Sequence, residues 1–459
     1  MDRNSSDPSA EVQRAAPVEL KRAMGLLDCT LLVIGAIIGS GIFLTPSSVA
    51  RETQSVSGIL FVWIMGGLLS LSGAMTFAEL GAAYPEAGGI YVFLQEAYGA
   101  PLAFLYGWCV FFVINSGSIA TLGSAFAIYL GYLVPLSSGV CRGIAVISIG
   151  LLTLVNCLGV QPGVWVQNLL TVIKIGSLIG IAGVLFSSTH ATLHGVLGAT
   201  PSNQPLPWVG YGIAMIGVLW TYHGWHLLTF AAGEVKNPTR NLTGGLFLGT
   251  LVSMALYLTV NLGYLAILPF NALQSSSRVA SDAMQIALGP WGGTVVAVAI
   301  LISIVGAMNS NILGGPRVLY AMAHEGLFFQ SAALVHPRFR VPWVSIVLGS
   351  VWAAILTFMG SFERLFNYVI FVAWIFYALG AAGAIVLRRK HPELPRPYKV
   401  WGYPWMPILF ILVSFLIVLN VIVNDFKNSS WGLLVVLTGL PAYLYWNRKR
   451  KADPGATLS

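Results

Sequence analysis

The chain has 459 residues, of which 56% are hydrophobic and only 9% are charged, and its formal net charge is +8. Soluble globular domains carry roughly 25% charged residues, so this composition excludes a soluble enzyme or binding module and indicates an integral membrane protein. The lysines and arginines lie mainly at the ends of apolar segments, which argues against a nucleic-acid partner and identifies the lipid bilayer as the surrounding medium.

The apolar segments predict twelve membrane spans, because each is close to the roughly 20 residues needed to cross a bilayer. The predicted spans are 26–50, 57–82, 100–132, 142–160, 163–187, 208–232, 243–268, 290–323, 342–360, 363–388, 403–424 and 430–447. We therefore expect an all-α, multi-pass membrane protein. Residues 1–22 are polar and predict a disordered tail without a cleavable signal peptide, and residues 448–459 predict a basic tail.

The distribution of positive charge predicts the orientation. An even number of spans places both termini on one side of the membrane, and most of the 24 lysines and arginines fall in segments on that side. Cytoplasmic segments are enriched in these residues, so both termini are predicted to be cytoplasmic.

The first span contains the stretch Ile34–Phe43, in which three glycines fall within seven residues. Glycine is a poor helix former, so Gly39-Ser40-Gly41 predicts a break in the helix at mid-span. Broken backbone is tolerated in a membrane only where it is buried in protein or lines a cavity. Its free N–H groups attract an anion and its free carbonyls a cation, as an amino acid would supply. A close helix–helix contact is the alternative interpretation.

The sixth span carries a second candidate break, Gly217–His226, where glycines are mixed with polar and aromatic residues. The first and sixth spans each open a block of five, and five is odd, so the second block starts on the opposite side. Matching breaks in two such blocks predict an inverted repeat with a substrate site between the halves. The predicted organisation is a first repeat over 23–187, a second over 208–388, and two additional helices within 389–447.

Lys174 is the one lysine or arginine predicted in the core of a span, about 17 Å from either end and too far to reach water comfortably. Such a charge indicates a functional site by default, and the alternative is an ammonium held by backbone carbonyls for structure alone. No aspartate or glutamate is predicted at mid-membrane, which argues against arginine or a polyamine as the main substrate.

Histidine and tryptophan side chains surround the second break. His223 and His226 each either satisfy a carbonyl or supply a protonatable group that makes transport pH-dependent. Trp220 is interpreted as a wall or gate of the pocket, with packing against lipid as the alternative. Other tryptophans near the ends of spans predict an interfacial belt. They are Trp63, Trp208, Trp291, Trp343, Trp401, Trp405, Trp431 and Trp446.

Enzyme and channel functions lack their usual signatures in the sequence. The four cysteines show neither a disulfide framework nor a metal-ligand spacing. No intramembrane nucleophile and base, paired carboxylates or metal cluster supports catalysis, so we predict no catalytic residue, no metal and no cofactor. A channel is disfavoured because neither a charged ring nor a re-entrant filter is present.

Taken together, these residues resemble the L-type amino acid transporter branch of the amino acid–polyamine–organocation superfamily. The resemblance covers nearly the whole chain after residue 22. The motifs that carry it are Gly35–Phe43, Ala78–Gly81, Gly88–Tyr91, Val166-Gln167 with Lys174, Gly233–Leu242, Arg317 with Glu325-Gly326, and Gly439–Pro441.

The resemblance implies the LeuT-type fold, with ten spans in a 5+5 inverted repeat followed by two further spans. It implies that the backbone N–H groups at Ser40 and Gly41 hold the substrate carboxylate. The substrate ammonium would meet the carbonyls of Ile37, Trp220 and His223.

The resemblance also implies that Trp220 is an aromatic gate, that Gly224 belongs to the substrate site, and that Lys174 stands where sodium binds in sodium-coupled relatives. The implied activity is sodium-independent exchange of neutral amino acids by alternating access, with proton-coupled symport as the alternative.

Two departures from the branch bear on substrate and partner. His223 stands where the branch usually has glycine, so the preferred amino acid side chain stays open. Animal members carry a cysteine after the third span that links to a glycoprotein heavy chain, and the aligned place here is near Ser138, with Cys141 three residues on. We therefore expect a bacterial-type protein of the plasma membrane without an obligate heavy-chain subunit.

Overall fold

The computed structural model describes residues 20–192, 208–359, 362–424 and 426–452, and these ranges are mainly helical. Their one recorded β pairing is an isolated bridge between Met24 and Val235. The all-α fold predicted from the sequence is confirmed. Most of the predicted N-terminal tail and the end of the C-terminal tail lie outside the described residues.

In chain order the helices are α1 Leu26–Ile37, α2 Gly41–Thr53, α3 Val56–Ala83, α4 Ile90–Tyr98, α5 Ala100–Cys109, α6 Asn115–Leu133, α7 Ser138–Cys157, α8 Val160–Ser187, α9 Trp208–Thr221, α10 Leu227–Phe230, α11 Pro238–Ile267, α12 Phe270–Ser275, α13 Val279–Leu288, α14 Trp291–Gly314, α15 Pro316–His324, α16 Trp343–Met359, α17 Phe362–Lys390, α18 Trp405–Asn424 and α19 Phe426–Ala452. A π-helical turn, Val110–Ile114, joins α5 to α6.

Each predicted span coincides with a helix or with two successive helices. Within the described ranges, eight helical segments are long and apolar enough to cross a membrane, and nine if the bent pair α1–α2 counts as one span. The other three predicted spans correspond to α9 and α16, which are shorter apolar helices, and to α19, which ends in a basic turn. The chain is therefore a multi-pass membrane protein.

The exterior of the helices is apolar and their interior contacts include polar side chains, as α8 illustrates. Trp165 and Leu169 are 77% and 62% exposed on one face of this helix. Gln167, Thr171 and Lys174 are buried and recur at the spacing of the opposite face. Such an apolar surface would favour aggregation in water, whereas in a membrane it is the side of the helix that faces lipid.

The assignment of Trp63 to the membrane interface is wrong. Trp63 lies two turns inside α3 and is fully buried. Its ring packs edge-on against Tyr257 and Tyr222, with centroid distances of 5.5 and 5.9 Å. A tryptophan near the start of an apolar run could not be told from an interfacial one by sequence position, because the partner rings come from other helices.

Glu234 joins three parts of the chain at the end of the molecule from which α1 starts. Its carbonyl oxygen accepts hydrogen bonds from the N–H groups of Ala23 and Met24, at 2.8 and 3.0 Å. Its carboxylate accepts two hydrogen bonds from the guanidinium of Arg317, at 2.9 and 3.0 Å, and both side chains are buried. Glu234 thus connects the segment that leads into α1, residues 20–25, to helix α15. We call this segment the strap.

Replacing Arg317 with methionine should destabilise the protein strongly. The change leaves the Glu234 carboxylate buried without its partner, a situation that costs about 3–5 kcal/mol. We expect a large fall in the thermal unfolding temperature of the purified protein in detergent. The double variant Glu234→Gln/Arg317→Met should recover part of the loss, since no uncompensated charge remains.

The control for this experiment is the exposed pair of His391 and Glu393, whose side chains are 3.4 Å apart and 42% and 72% exposed. Glu393→Gln should leave the unfolding temperature nearly unchanged, because exposed ion pairs contribute little. Equal unfolding temperatures for Arg317→Met and Glu393→Gln would contradict a structural role for the buried pair.

Candidate functional site

The first span is broken at the predicted glycines. Helix α1 ends at Ile37 and α2 begins at Gly41, and the two helix axes are bent by 48°. Between them the backbone of Ile38 is extended, and Ser40 precedes α2 without a side-chain capping hydrogen bond. The last carbonyls of α1 and the first N–H groups of α2 consequently lack helical partners. The predicted break at Gly39-Ser40-Gly41 is confirmed.

The sixth span is broken as well, and the two breaks touch. Helix α9 ends at Thr221 and α10 begins at Leu227, with Gly224 between them at a φ of 124°. A Cβ added to Gly224 would lie 2.6 Å from the carbonyl oxygen of Ala36 in the last turn of α1. Only glycine accepts both the positive φ and this close approach.

Both breaks line one cavity of about 60 Å³. That volume has room for roughly four to six water molecules, which is the scale of a small organic ligand. Residues singled out from the sequence meet there, although Lys174 does not reach the cavity. Those that line it are Ile37, Ser40, Gly41, Trp220, His223 and Gly224. No lining residue is an aspartate, glutamate, lysine or arginine.

Three polar residues of the lining were not identified from the sequence. Ser118 and Thr121 lie on α6, shortly after the π-helical turn Val110–Ile114, and Asn311 lies on α14. π-turns are frequent at functional sites because they change which face of a helix meets its neighbours. The sequence offers no signal for such a turn, so these side chains could not be assigned to the cavity in advance.

Two hydroxyl groups of the cavity are free to form hydrogen bonds with a ligand. The oxygens of Ser40 and Thr121 are buried and have no hydrogen-bond partner. A buried hydroxyl without a partner costs roughly 1–3 kcal/mol, and a polar ligand in the cavity would remove that cost. With the free N–H groups at the start of α2, they form the polar wall of the site.

Tyr257, at mid-length of α11, bridges the two breaks. Its hydroxyl lies 2.9 Å from the carbonyl oxygen of Ile37 and 3.1 Å from that of Thr221. The side chain is fully buried. The last turn of α1 and the last turn of α9 are therefore held together by one phenol. The only signal in the sequence was a tyrosine at mid-span, whose hydroxyl needs a partner.

The carbonyls predicted to receive an ammonium already carry some hydrogen bonds. The Ile37 carbonyl accepts from Tyr257, and the Trp220 carbonyl accepts from the N–H of His223 at 2.9 Å. A carbonyl oxygen has two lone pairs, so each retains capacity for a further donor.

Lys174 lies behind the first break and satisfies its carbonyls. The ammonium nitrogen is 2.7 Å from the carbonyl oxygens of both Gly35 and Ile38, and the side chain is fully buried. Gly306 on α14 makes room for the lysine, since a Cβ at that position would lie 2.6 Å from the Lys174 Cε. A cation thus occupies the position where the carbonyl end of a broken helix is most negative.

A chain of buried amides and hydroxyls runs beside Lys174 and links four helices. Asn156 donates to Asn309 at 2.8 Å, and Asn309 donates to Gln167 at 2.9 Å. Gln167 donates to Thr171, which donates to the Leu31 carbonyl, each at 3.1 Å. Helix α1 is thereby connected through α8 to α14 and α7. Sequence reasoning identified Gln167 in this network only through the resemblance.

Both histidines at the second break contact the same phenol. The hydroxyl oxygen of Tyr377 on α17 is 2.8 Å from Nε2 of His223 and 2.9 Å from Nε2 of His226. One phenolic proton can serve only one of these nitrogens, so the other histidine donates its own proton. The partner is a phenol rather than the carbonyl considered from the sequence, and His223 also lines the cavity.

The chain matches the family model described as amino acid permease over residues 24–441. The serine/threonine exchanger SteT of Bacillus subtilis is 34% identical over 95% of this chain and 98% of its own length. The human b(0,+)-type amino acid transporter 1 is 31% identical over 96% of this chain and 91% of its own. The mouse large neutral amino acids transporter small subunit 2 is 29% identical over 97% and 86%.

Removing the hydroxyl of Tyr257 should weaken the contact between the breaks. Tyr257→Phe removes the one phenolic proton that the two buried carbonyls share, at a cost of roughly 1–3 kcal/mol. We expect slower transport and a lower unfolding temperature. Tyr264→Phe is the matched control on the same helix, because the Tyr264 hydroxyl is buried without a partner. Equal effects of the two variants would show that the bridge contributes nothing.

Gly39 offers a direct test of the cavity. It lines the cavity, and a Cβ added there would meet nothing within 4 Å, whereas one at Gly41 would lie 2.7 Å from Thr221. Gly39→Val should fill the cavity without displacing the backbone and weaken substrate binding about tenfold to a hundredfold, with Gly39→Ala intermediate. Gly150→Ala, equally free of contacts on α7, is the control for binding assays on purified protein. Wild-type affinity in Gly39→Val would place the substrate elsewhere.

Proposed function

Since the chain belongs to the amino acid permease family and is an amino acid transporter, we propose that it is a sodium-independent exchanger of neutral amino acids. The observation that carries the proposal is the single small cavity between two broken helices, with free N–H groups on one side and carbonyls on the other. A zwitterion matches these two ends, and alternating access would carry it across the membrane.

The proposed binding mode assigns a role to each predicted residue. The N–H groups at Ser40 and Gly41 hold the carboxylate, and the carbonyls of Ile37, Trp220 and His223 receive the ammonium. A cationic side chain would need an acidic partner, and the cavity lining contains none. In this mode Gly224 allows the second break to approach the first, and Trp220 acts as the aromatic gate.

We propose that the preferred substrates are small neutral amino acids with polar side chains. The cavity of about 60 Å³ leaves little room beyond the amino acid backbone, and the imidazole of His223 occupies the place of a usual glycine. The unpartnered hydroxyls of Ser40 and Thr121 suit a hydroxyl-bearing substrate. The relative from Bacillus subtilis is itself named a serine/threonine exchanger.

Lys174 is proposed to take the place of a coupling sodium ion. Its ammonium donates to two carbonyls of the first break, which is what a bound cation would do there. With this position filled by the chain itself, transport does not need sodium. The two five-helix repeats, 23–187 and 208–388, would then move relative to each other around the site without sodium having to bind.

The membrane placement and partners are also proposals. Both termini are placed in the cytoplasm on the distribution of lysine and arginine, and the protein is placed in the plasma membrane on its resemblance to bacterial-type members of the branch. One relative is named a small subunit, which describes a member of a larger assembly. Cys141, the cysteine nearest the position of a covalent heavy-chain link, is 2% exposed. Its burial supports a transporter that works without a covalent heavy-chain subunit.

Proton-coupled symport is the second candidate, and one observation favours it. His223, Tyr377 and His226 form a chain of hydrogen-bonded protonatable groups that ends at the cavity. A proton held by this cluster would place positive charge near the substrate ammonium, so that proton and substrate binding would affect each other.

The test is efflux of labelled serine or leucine from proteoliposomes, with a panel of unlabelled amino acids outside. We expect efflux to accelerate when small neutral amino acids are present outside, because an exchanger reorients its site only when a substrate is bound. Efflux that is indifferent to external amino acid but driven by an imposed pH gradient would contradict exchange and favour symport. In that case His223→Gly should abolish the response to pH while substrate binding persists.

Lys174→Ala should abolish transport, because the Gly35 and Ile38 carbonyls lose their donor in a buried place. Lys174→Met retains volume without charge and should fail equally, which separates charge from packing. Wild-type transport should be the same with and without sodium. Sodium-dependent uptake by the wild type, or normal uptake by either variant, would overturn the proposed role of the lysine.

A further inference from the structure

A second cavity lies at the end of the molecule from which α8 starts, and its lining is basic. It has a volume of about 360 Å³. Three cations line it, Lys21, Arg338 and Arg340, together with the first turn of α8. No aspartate or glutamate belongs to the lining. A site of this composition attracts an anion.

Within the part of the chain that the structure describes, the three cations have no carboxylate counter-ion. Among the described residues, none of them forms an ion pair with a carboxylate within 4 Å, in contrast to Arg317 and Arg388. Charge is added by the start of α8, where the first N–H groups of a 28-residue helix lack partners. The three cations and the start of α8 are therefore all available to bind an anion from outside the described part of the chain.

The arginines are held in place by a compact turn. Nδ1 of His336 accepts hydrogen bonds from the N–H groups of Arg338 and Phe339, at 3.2 and 3.3 Å. The His336 carbonyl accepts from the N–H of Arg340 at 2.8 Å, and Arg340 has a φ of 52°. The turn thus holds the backbone of two residues whose side chains line the same cavity, which lowers the backbone entropy lost on binding.

Exposed aromatic and apolar side chains place this cavity at the depth of lipid headgroups. Leu158, in its lining, is 46% exposed. Trp165, five residues into α8, is 77% exposed, and the lipid-facing side of the helix continues from it. Trp343, at the start of α16 and three residues after Arg340, is 41% exposed. Tryptophans with this exposure are typical of the membrane–water interface.

We propose that this cavity binds the phosphate headgroup of an anionic phospholipid in the leaflet that faces the chain termini. Phosphate is the shared chemistry of a lipid headgroup and of soluble phosphate, and guanidinium groups bind it through paired hydrogen bonds. The interfacial depth and the apolar neighbour Leu158 favour the lipid, whose acyl chains would lie along the outer face of α8.

The bound headgroup would connect moving parts of the transporter. Lys21 belongs to the strap that pairs with Val235 and Glu234 through Met24 and then enters α1. Arg338 and Arg340 precede α16. A phosphate between them fastens the strap of the broken helix to another part of the structure, so anionic lipid stabilises the arrangement seen here. This binding site is independent of the amino acid site and of the choice between exchange and symport.

The test is titration of phosphatidylglycerol into the purified full-length protein in detergent, with thermal unfolding as the readout. We expect a saturable rise in unfolding temperature that phosphatidylcholine does not produce. Arg338→Gln/Arg340→Asn should need about thirtyfold more phosphatidylglycerol for half of the rise, since each cation near an anionic lipid contributes roughly fivefold. Asparagine tolerates the positive φ of residue 340.

Three further arms identify the ligand and the residues. Arg338→Lys/Arg340→Lys retains both charges and should respond within a few-fold of the wild type, which separates charge from folding of the turn. Arg389→Gln/Lys390→Gln removes two exposed charges at the end of α17 and should respond as the wild type does. Inorganic phosphate without lipid should produce no comparable rise.

Some outcomes would overturn the proposal. They are an unchanged half-saturating concentration in Arg338→Gln/Arg340→Asn, an equal loss in Arg389→Gln/Lys390→Gln, an equal rise with phosphatidylcholine, and an equal rise with inorganic phosphate, which would identify a site for soluble anions. Each of these can occur while amino acid exchange is normal, so failure here is distinguishable from failure of the proposed function.

Discussion

The structure depends on one constraint, that a helix broken inside a membrane must have its free backbone groups satisfied without water. The first span meets the constraint at its carbonyl end with Lys174, which serves Gly35 and Ile38, and with Tyr257, which serves Ile37. The N–H end of the break is left open to the cavity. A cavity able to accept a polar ligand therefore remains where the protein has satisfied one half of the break and not the other.

The same requirement explains why glycine and polar side chains are concentrated near the breaks. Gly224 allows the two breaks to touch, because a larger residue would collide with the Ala36 carbonyl. Gly306 admits the stem of Lys174. The amide chain from Asn156 to Thr171 then holds α1 against α8. In lipid such contacts have no competition from water, so they define how the broken helix is seated.

The two cavities differ in charge and in their expected depth in the membrane, and they therefore suit different ligands. The cavity between the breaks is uncharged and uses backbone dipoles, because a fixed charge at mid-membrane is costly without a partner. In the proposed placement, the cavity at the start of α8 lies at the interface, where water lowers the cost of unpaired lysine and arginine side chains. A zwitterion suits the first environment and an anionic headgroup suits the second.

The sequence by itself determined the membrane class, the positions of the spans, both breaks and the cavity residues that lie in those breaks, because apolar length and glycine placement act locally. It also pointed to Lys174, because a single cation in an apolar segment is costly in a membrane whichever helices pack against it. Tertiary structure alone decided that Trp63 is buried, that Tyr257 bridges the breaks, that the two histidines share Tyr377, and that Arg338 and Arg340 line one cavity with Lys21. These are contacts between residues far apart in the chain, and a periodic pattern along one helix carries no information about which side chain of another helix it will face.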